Sequence, residues 1–391
     1  MSDFGTELGR IQAGRGLSLH ELARRSHYDV GYLSKVVRGR KNGSRELALH
    51  LDKLLDADGA LVDAWDRSAR PPVPVMPAAS PAPDADLYDR ITRAVDDPPR
   101  IDPPVVEWLE RTLDEHRRVN DSVGAVPLLG LIRQQLSVVA GFTRSADGQL
   151  ADRLVSLAAQ YAQFVAWMCI ETREHGAGLA WYDRARDWAE QAGDANMAAT
   201  TLSMKAHLAW SVHDPRRCVQ MAQAARWYDH RITPGVQGMA AQMEARGHAL
   251  AGDAGPARRL LGQAQELITL AAGRPEDEPP WMYFYGEDWF TLQRGMAELH
   301  LGNWRDAAGL LQAGLGALPA SYRRDRAWYG ACLATAHAGA GDAEQAEAVA
   351  LEFAADVKAV NSYARGQLLD VAGILAGMDA RQAEVIREAI R

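Results

Sequence analysis

Cysteine is scarce in this chain of 391 residues: Cys169, Cys218 and Cys332 are the only three, and they lie far apart. An odd, sparse set with no metal-ligand spacing argues against a disulfide scaffold and suits a reducing compartment. Catalytic signatures are missing as well. The chain contains no H-E-x-x-H, no paired Cys-x-x-Cys, no phosphate-binding Walker loop, no dinucleotide glycine fingerprint and no G-x-S-x-G elbow. Nothing in the sequence supports catalysis, a resident metal or a cofactor, so a non-enzyme with neither is expected. No apolar run approaches the ~18 residues of a membrane span, and the opening MSDFGTELGR has no apolar targeting core. A cytoplasmic protein without membrane contact is expected. Strand signals are absent too: from Val105 onward there is neither β-branched alternation nor an Asn-Gly hairpin turn.

What is present is divided unevenly. The net charge is −8, yet residues 1–55 hold ten Lys/Arg against six Asp/Glu, a local +4, while the rest carries −12. Such asymmetry fits a small nucleic-acid reader joined to an acidic body. The basic part contains LSLHELARRSHYDVGYLSKVVRGRKNGS at residues 17–44. Ser18 and Glu21 have capping-box spacing, and Leu19, Leu22 and Ala23 give the helix that follows an apolar face. A turn is predicted at His27-Tyr28. Asp29 is a suitable N-cap for a second helix over 30–38, with Leu33 and Val36 facing inward and Gly39 placed to stop it. Two more helices are expected, one over Arg45–Leu55 and one ending near Trp65.

This stretch resembles the xenobiotic-response-element family of phage-repressor-like regulators. The family pattern is L-S-x-x-E-L-A, a turn, Y-[LI]-S-[KR]-[IV], then R-G-[RK]-x-N-x-S. Leu17, Ser18, Glu21, Leu22, Ala23, Tyr32, Leu33, Ser34, Lys35, Val36, Arg38, Gly39, Arg40, Asn42 and Ser44 match it. The resemblance covers roughly residues 5–66. It implies that the second helix enters the major groove of double-stranded DNA. Val30, Gly31, Tyr32, Ser34 and Lys35 would then face the DNA, with Arg38, Arg40 and Lys41 clamping its backbone. Leu19 stands where the family often has a DNA-contacting Gln, and Gly31 where a longer polar reader is common. Val30 suits a thymine methyl and Lys35 a guanine edge. A local +4 gives one copy few phosphate contacts, so a homodimer on an inverted-repeat operator is expected.

Ten of the eighteen prolines lie in residues 71–104, which reads as an extended linker with a helical patch near Leu87–Val95. Beyond it the pattern is helical and repetitive. His213-Asp214, Gly252-Asp253, Gly302-Asn303 and Gly341-Asp342 each stand between two helical patterns, their acidic or amide positions 39, 50 and 39 residues apart. Ala257, Ala307 and Ala346 follow three of these turns, and Ala245, Gly295 and Ala334 precede them, small enough for paired helices to approach closely. The 50-residue interval places an insertion near Gly273–Trp281. Residues 150–358 resemble tetratricopeptide repeats, and the whole chain resembles actinobacterial regulators that join such a body to the same DNA reader. Peptide-sensing quorum regulators have a similar arrangement.

The expected fold is therefore all-α: a five-helix helix-turn-helix domain at 1–70, a Pro-rich linker at 71–104, and a tetratricopeptide-like α-solenoid at 105–391 that senses a signal and mediates dimerisation. A solenoid presents a concave face built from the first helix of each pair. Gln163, Lys205, Gln242, Arg246, Arg294, Arg326 and Tyr329 are candidates to hold a peptide or small molecule there. The cluster Trp281, Tyr283, Tyr285, Glu287, Asp288 and Trp289 adds aromatic and acidic groups in the irregular repeat. Trp167, Trp188, Trp210 and Trp304 are expected in the core, and His248, His300 and His337, which recur before repeat turns, are read as structural. The alternative is a protein–protein docking scaffold that the helix-turn-helix tethers to DNA.

Overall fold

The computed structural model describes residues 3–38, 41, 43–57, 59–69 and 85–391, and it contains no strand among them. By contacts the chain separates into two units, Met1–Met76 and Pro77–Arg391.

The first unit holds α1 (Asp3–Gly14), α2 (Leu19–Ser26), α3 (Val30–Val37), α4 (Arg45–Leu54) and α5 (Ala60–Ala69). Short-range caps set the boundaries. Ser18 Oγ accepts from the Glu21 amide at 3.1 Å, Asp29 Oδ1 from Tyr32 at 2.8 Å and Ser44 Oγ from Leu47 at 3.1 Å. Each satisfies an amide that has no partner inside its helix. His27 ends α2 in the left-handed conformation (φ 59°), which reverses the chain into α3. Phe4, Leu8, Leu22, Leu33, Val36, Leu47, Leu51 and Leu61 form the buried centre. Trp65 Nε1 donates to the Gly43 carbonyl at 2.7 Å, and a Cβ on Gly43 would strike the Phe4 ring. The loop before α4 is thus held against the core. Helix α3 ends one residue before the expected boundary, with Arg38 as its cap. Gly39, Arg40 and Asn42 lie outside the described residues.

The second unit begins with α6 (Ala85–Asp96) and a 3-10 turn at Pro98–Arg100. Residues 70–84 of the expected linker fall outside the described residues, but its later part is helical rather than extended. The physical reason is proline position: Pro98-Pro99 and Pro103-Pro104 open helices, where a missing amide costs nothing. Then come α7 (Pro103–Val123), α8 (Leu129–Phe142), α9 (Gly148–Glu171), α10 (His175–Gln191), α11 (Ala195–Ser211), α12 (Pro215–Arg226), α13 (Pro234–Leu250) and α14 (Ala254–Ala272). The unit closes with α15 (Glu287–His300), α16 (Trp304–Ala317), α17 (Arg323–Gly339), α18 (Ala343–Val360), α19 (Ser362–Ala376) and α20 (Ala380–Ala389).

From α9 onward, each odd-numbered helix packs on the even one that follows and beside the next odd one, giving a solenoid with an inner and an outer layer. The recurring turn has a local cause. His213, Gly252, Gly302 and Gly341 take positive φ, and the residue after each begins the outer helix. Asp214 and Asp342 cap that helix through their carboxylates, at 3.0 and 3.2 Å from the Arg217 and Gln345 amides. Ala245, Ala257, Ala307, Ala334 and Ala346 are all 0% exposed, and a Cβ on Gly295 would sit 2.8 Å from Leu311 Cγ. Small residues at these places set how closely inner and outer helices approach. Between α14 and α15 the insertion forms two 3-10 turns, Pro275–Asp277 and Pro280–Met282.

Helix α7 runs across the inner layer, touching α9, the insertion, α17 and α18. Its C-terminal end is fixed by Gly124, at φ 74° and ψ −177°, where a Cβ would run into the Val360 carbonyl oxygen. That backbone conformation is essentially restricted to glycine. Gly124→Ala is expected to lower stability by about 1–3 kcal/mol, read as a lower urea midpoint; an unchanged midpoint would mean that the α7–α18 junction is not fixed as described.

Candidate functional site

Two places in the chain concentrate chemistry. The first is the outer face of α3. Gly31, Lys35, Arg38 and Lys41 are exposed, whereas Val30, Tyr32 and Ser34 are half-buried. A Cβ on Gly31 would lie 3.1 Å from Asp29 Oδ1, so the capping carboxylate occupies the space that a side chain would need. The glycine therefore has a local structural reason. Tyr32 stacks on Tyr28 with ring centroids 6.1 Å apart, and Lys41 Nζ sits 5.0 Å above the Tyr32 ring. Lys35 and Arg38 carry no ion pair among the described residues, which leaves two cations on one short helix facing solvent. Arg40, expected to act with them, lies outside the described residues.

The second place is the concave face of the solenoid. Residues from α7, α9, α11, α13, the insertion, α15, α17 and α19 enclose a cavity of about 170 Å³. Five of the sequence candidates line it: Gln163, Arg246, Tyr283, Trp289 and Tyr329. The others are engaged elsewhere. Lys205 pairs with Asp183, and Gln242 Nε2 donates to Gln293 Oε1 at 3.1 Å inside the core. Tyr285 is buried against Trp289, with centroids 4.9 Å apart. Arg326 donates to the Leu315 and Leu318 carbonyls at 2.9 and 3.3 Å, and Glu287 and Arg294 are exposed. Trp167 and Trp210, expected in the core, form part of the cavity wall.

The sequence reading missed the cavity's ionic centre. Arg324, 9% exposed, meets Asp121 at 2.9 Å, Asp325 at 2.9 Å and Glu171 at 3.4 Å, and donates to Asn120 Oδ1. Its guanidinium lies 5.4 Å from the Trp167 ring centroid. Tyr283 OH donates to Asp121 Oδ2 at 2.6 Å. Three carboxylates share one guanidinium here, so removal from water outweighs its attraction. Burial pushes Asp121 up to about 6 and Glu171 up to about 7. Because Asn120 and Asp121 belong to α7, Glu171 to α9 and Arg324 to α17, this cluster binds α7 across the inner layer.

The other side of the cavity is built around Arg246 of α13. Its guanidinium lies 4.4 Å from the Trp210 ring centroid, with Nη1 2.8 Å from His207 Nδ1 and Nη2 donating to Gln293 Oε1. Burial, together with Arg246, pushes His207 down to about 3, so the imidazole is neutral and its Nδ1 accepts. Trp210 Nε1 donates to His300 Nε2 at 3.0 Å, and burial lowers His300 to about 4. Aromatic walls, one lone cation and one acidic cluster can hold a small amphiphilic molecule. Among the described residues no group of His, Cys, Asp and Glu side chains is placed to hold a metal ion.

A family described as a helix-turn-helix domain matches residues 3–65. The N-terminal five helices form a helix-turn-helix domain. The matched span covers α1 to α4 and most of α5, and it includes the α2–turn–α3 unit with its exposed basic face. Such a domain points to a DNA-binding regulator. No curated protein matches the chain. No helix among the described residues is long and apolar enough to cross a membrane.

Proposed function

We propose that this chain is a sequence-specific transcription regulator of the xenobiotic-response-element type, which reads an inverted-repeat operator as a homodimer and senses a signal in its tetratricopeptide-like solenoid. The observation carrying the DNA half is the exposed Lys35–Arg38 face on α3 inside a matched helix-turn-helix domain. In this reading Val30, Gly31, Ser34 and Lys35 meet base edges, while Arg38, Arg40 and Lys41 hold phosphates and Tyr32 supports Lys41 from below. Weak net basicity favours two copies on one site, since a dimer doubles the phosphate contacts.

The concave cavity supports the sensing half. Of a peptide or a small molecule, an enclosed space of about 170 Å³ favours the small molecule. Helix α7 supplies the connection: Arg117, Asn120 and Asp121 line the cavity, and the segment leading to the reader domain precedes that helix in sequence. A ligand that prefers one position of α7 shifts the population of dimers able to span two half-sites, whereas one that binds both positions equally does nothing.

The test is selection of genomic DNA fragments by the purified full chain at ~150 mM salt, where non-specific binding is weak, with sedimentation of the complex. An enriched inverted repeat carrying two chains is expected. Enrichment of no motif, or one chain per fragment, contradicts the reading.

A further inference from the structure

Arg246 is the one guanidinium lining the cavity that the fold leaves without a counter-charge. Arg117 pairs with Asp114 at 2.6 Å, and Arg324 has three carboxylates. Arg246 is 5% exposed, yet its only partners among the described residues are a neutral imidazole, an amide oxygen and an indole face; its Nε has no hydrogen-bond partner. Buried charges in folded proteins are ordinarily paired, because an isolated ion loses its hydration without return. Neutral acceptors and an indole face offset only part of that loss. The guanidinium fork also matches a carboxylate in two-point contact.

The surroundings define the remainder of the ligand. Trp210 and Trp328 meet edge to face with centroids 6.2 Å apart, and both line the cavity beside Met243. A cavity of ~150 Å³ holds a benzene molecule, so the space here suits one ring with a short arm. Resting on the sensor reading above, we propose that the cavity binds a small aromatic carboxylate, its anion on Arg246 and its ring among Trp210, Trp328 and Met243. The arginine is then retained for the ligand rather than for the fold.

Phenylacetate and its neutral counterpart phenylacetamide are the probes, titrated against the full chain by calorimetry at fixed salt. Phenylacetate is expected to bind at least about tenfold more tightly than the amide, as a charge-assisted contact requires, and more tightly than acetate, which lacks the ring. Arg246→Met is expected to abolish the acid–amide difference while still binding the amide. Arg246→Lys keeps the cation without the fork and should retain part of it. Without ligand, Arg246→Met should melt at or above the wild-type temperature, whereas an arginine needed for folding predicts a lower one. Equal binding of acid and amide by the wild type overturns the assignment of Arg246 but leaves a small-molecule cavity standing, as does acetate binding equal to phenylacetate for the ring. Binding of none of the probes at millimolar concentration overturns both the proposal and the sensor reading of this cavity.

Discussion

Arg324→Met is expected to destabilise the full chain by about 3–5 kcal/mol at pH 8, the largest single-site effect in the molecule. The substitution removes the only cation among Asp121, Glu171 and Asp325 and leaves their buried charges to repel one another. It also releases α7 from α9 and α17. The loss depends on pH in a defined direction. Burial raises Asp121 from 3.8 to about 6 and Glu171 from 4.5 to about 7, so in the folded state both hold protons that the unfolded chain has already released. Their contribution to stability is complete below about pH 4 and is lost as pH rises through 6 and 7. The wild-type chain should therefore gain stability from this cluster on going from pH 8 to pH 5. Arg324→Met should show a larger gain over the same interval, because protonation removes the repulsion that the arginine no longer balances. Urea midpoints by tryptophan fluorescence at the two pH values test this. Equal midpoints for both proteins at pH 8 would show that the cluster does not hold α7.

Lys35→Ala is expected to weaken binding to a selected operator fragment by about ten- to a hundredfold, the range for one lost two-point base contact. The thermal stability of the protein should not change, because Lys35 is exposed and makes no ion pair among the described residues. Arg38→Ala should act differently. A phosphate clamp carries no sequence information, so its loss weakens specific and random DNA alike and makes the salt dependence shallower. If Lys35→Ala leaves operator affinity unchanged at fixed salt, α3 is not the reading helix.

What could be read from the sequence follows from how local each cause is. Ser18, Asp29 and Ser44 cap amides three residues ahead, and the His213 and Gly252 turns are a left-handed residue followed by the start of a helix. Such signals lie within four or five residues, and the helix boundaries were legible accordingly. Gln163, Arg246 and Tyr329 were legible as inner-helix positions because helical periodicity tells one face from the other. Lys205 and Arg326 fit the same pattern but are engaged by Asp183 and by the Leu315 and Leu318 carbonyls, partners that periodicity does not reveal. The acidic cluster was illegible for a different reason. Asn120 and Arg324 meet across 204 residues, and Tyr283 and Asp121 across 162. No spacing rule links them; they come together only when the solenoid brings α17 round to α7. The helical end of the Pro-rich segment was obscured because proline reads as a breaker, although at the first turn of a helix it is a starter.

The central claim is that a basic reader on α3 gives this chain sequence-specific hold on DNA. Its most direct test is the ratio of affinities for an enriched fragment and for the same fragment with one half-site scrambled, measured with the full chain at ~150 mM salt. Two readers on an inverted repeat predict a ratio of at least about a thousand, the lower bound for specific over non-specific binding. A ratio near one, with both affinities falling together as salt rises, would mean that the basic face only attracts phosphate, and would contradict the account.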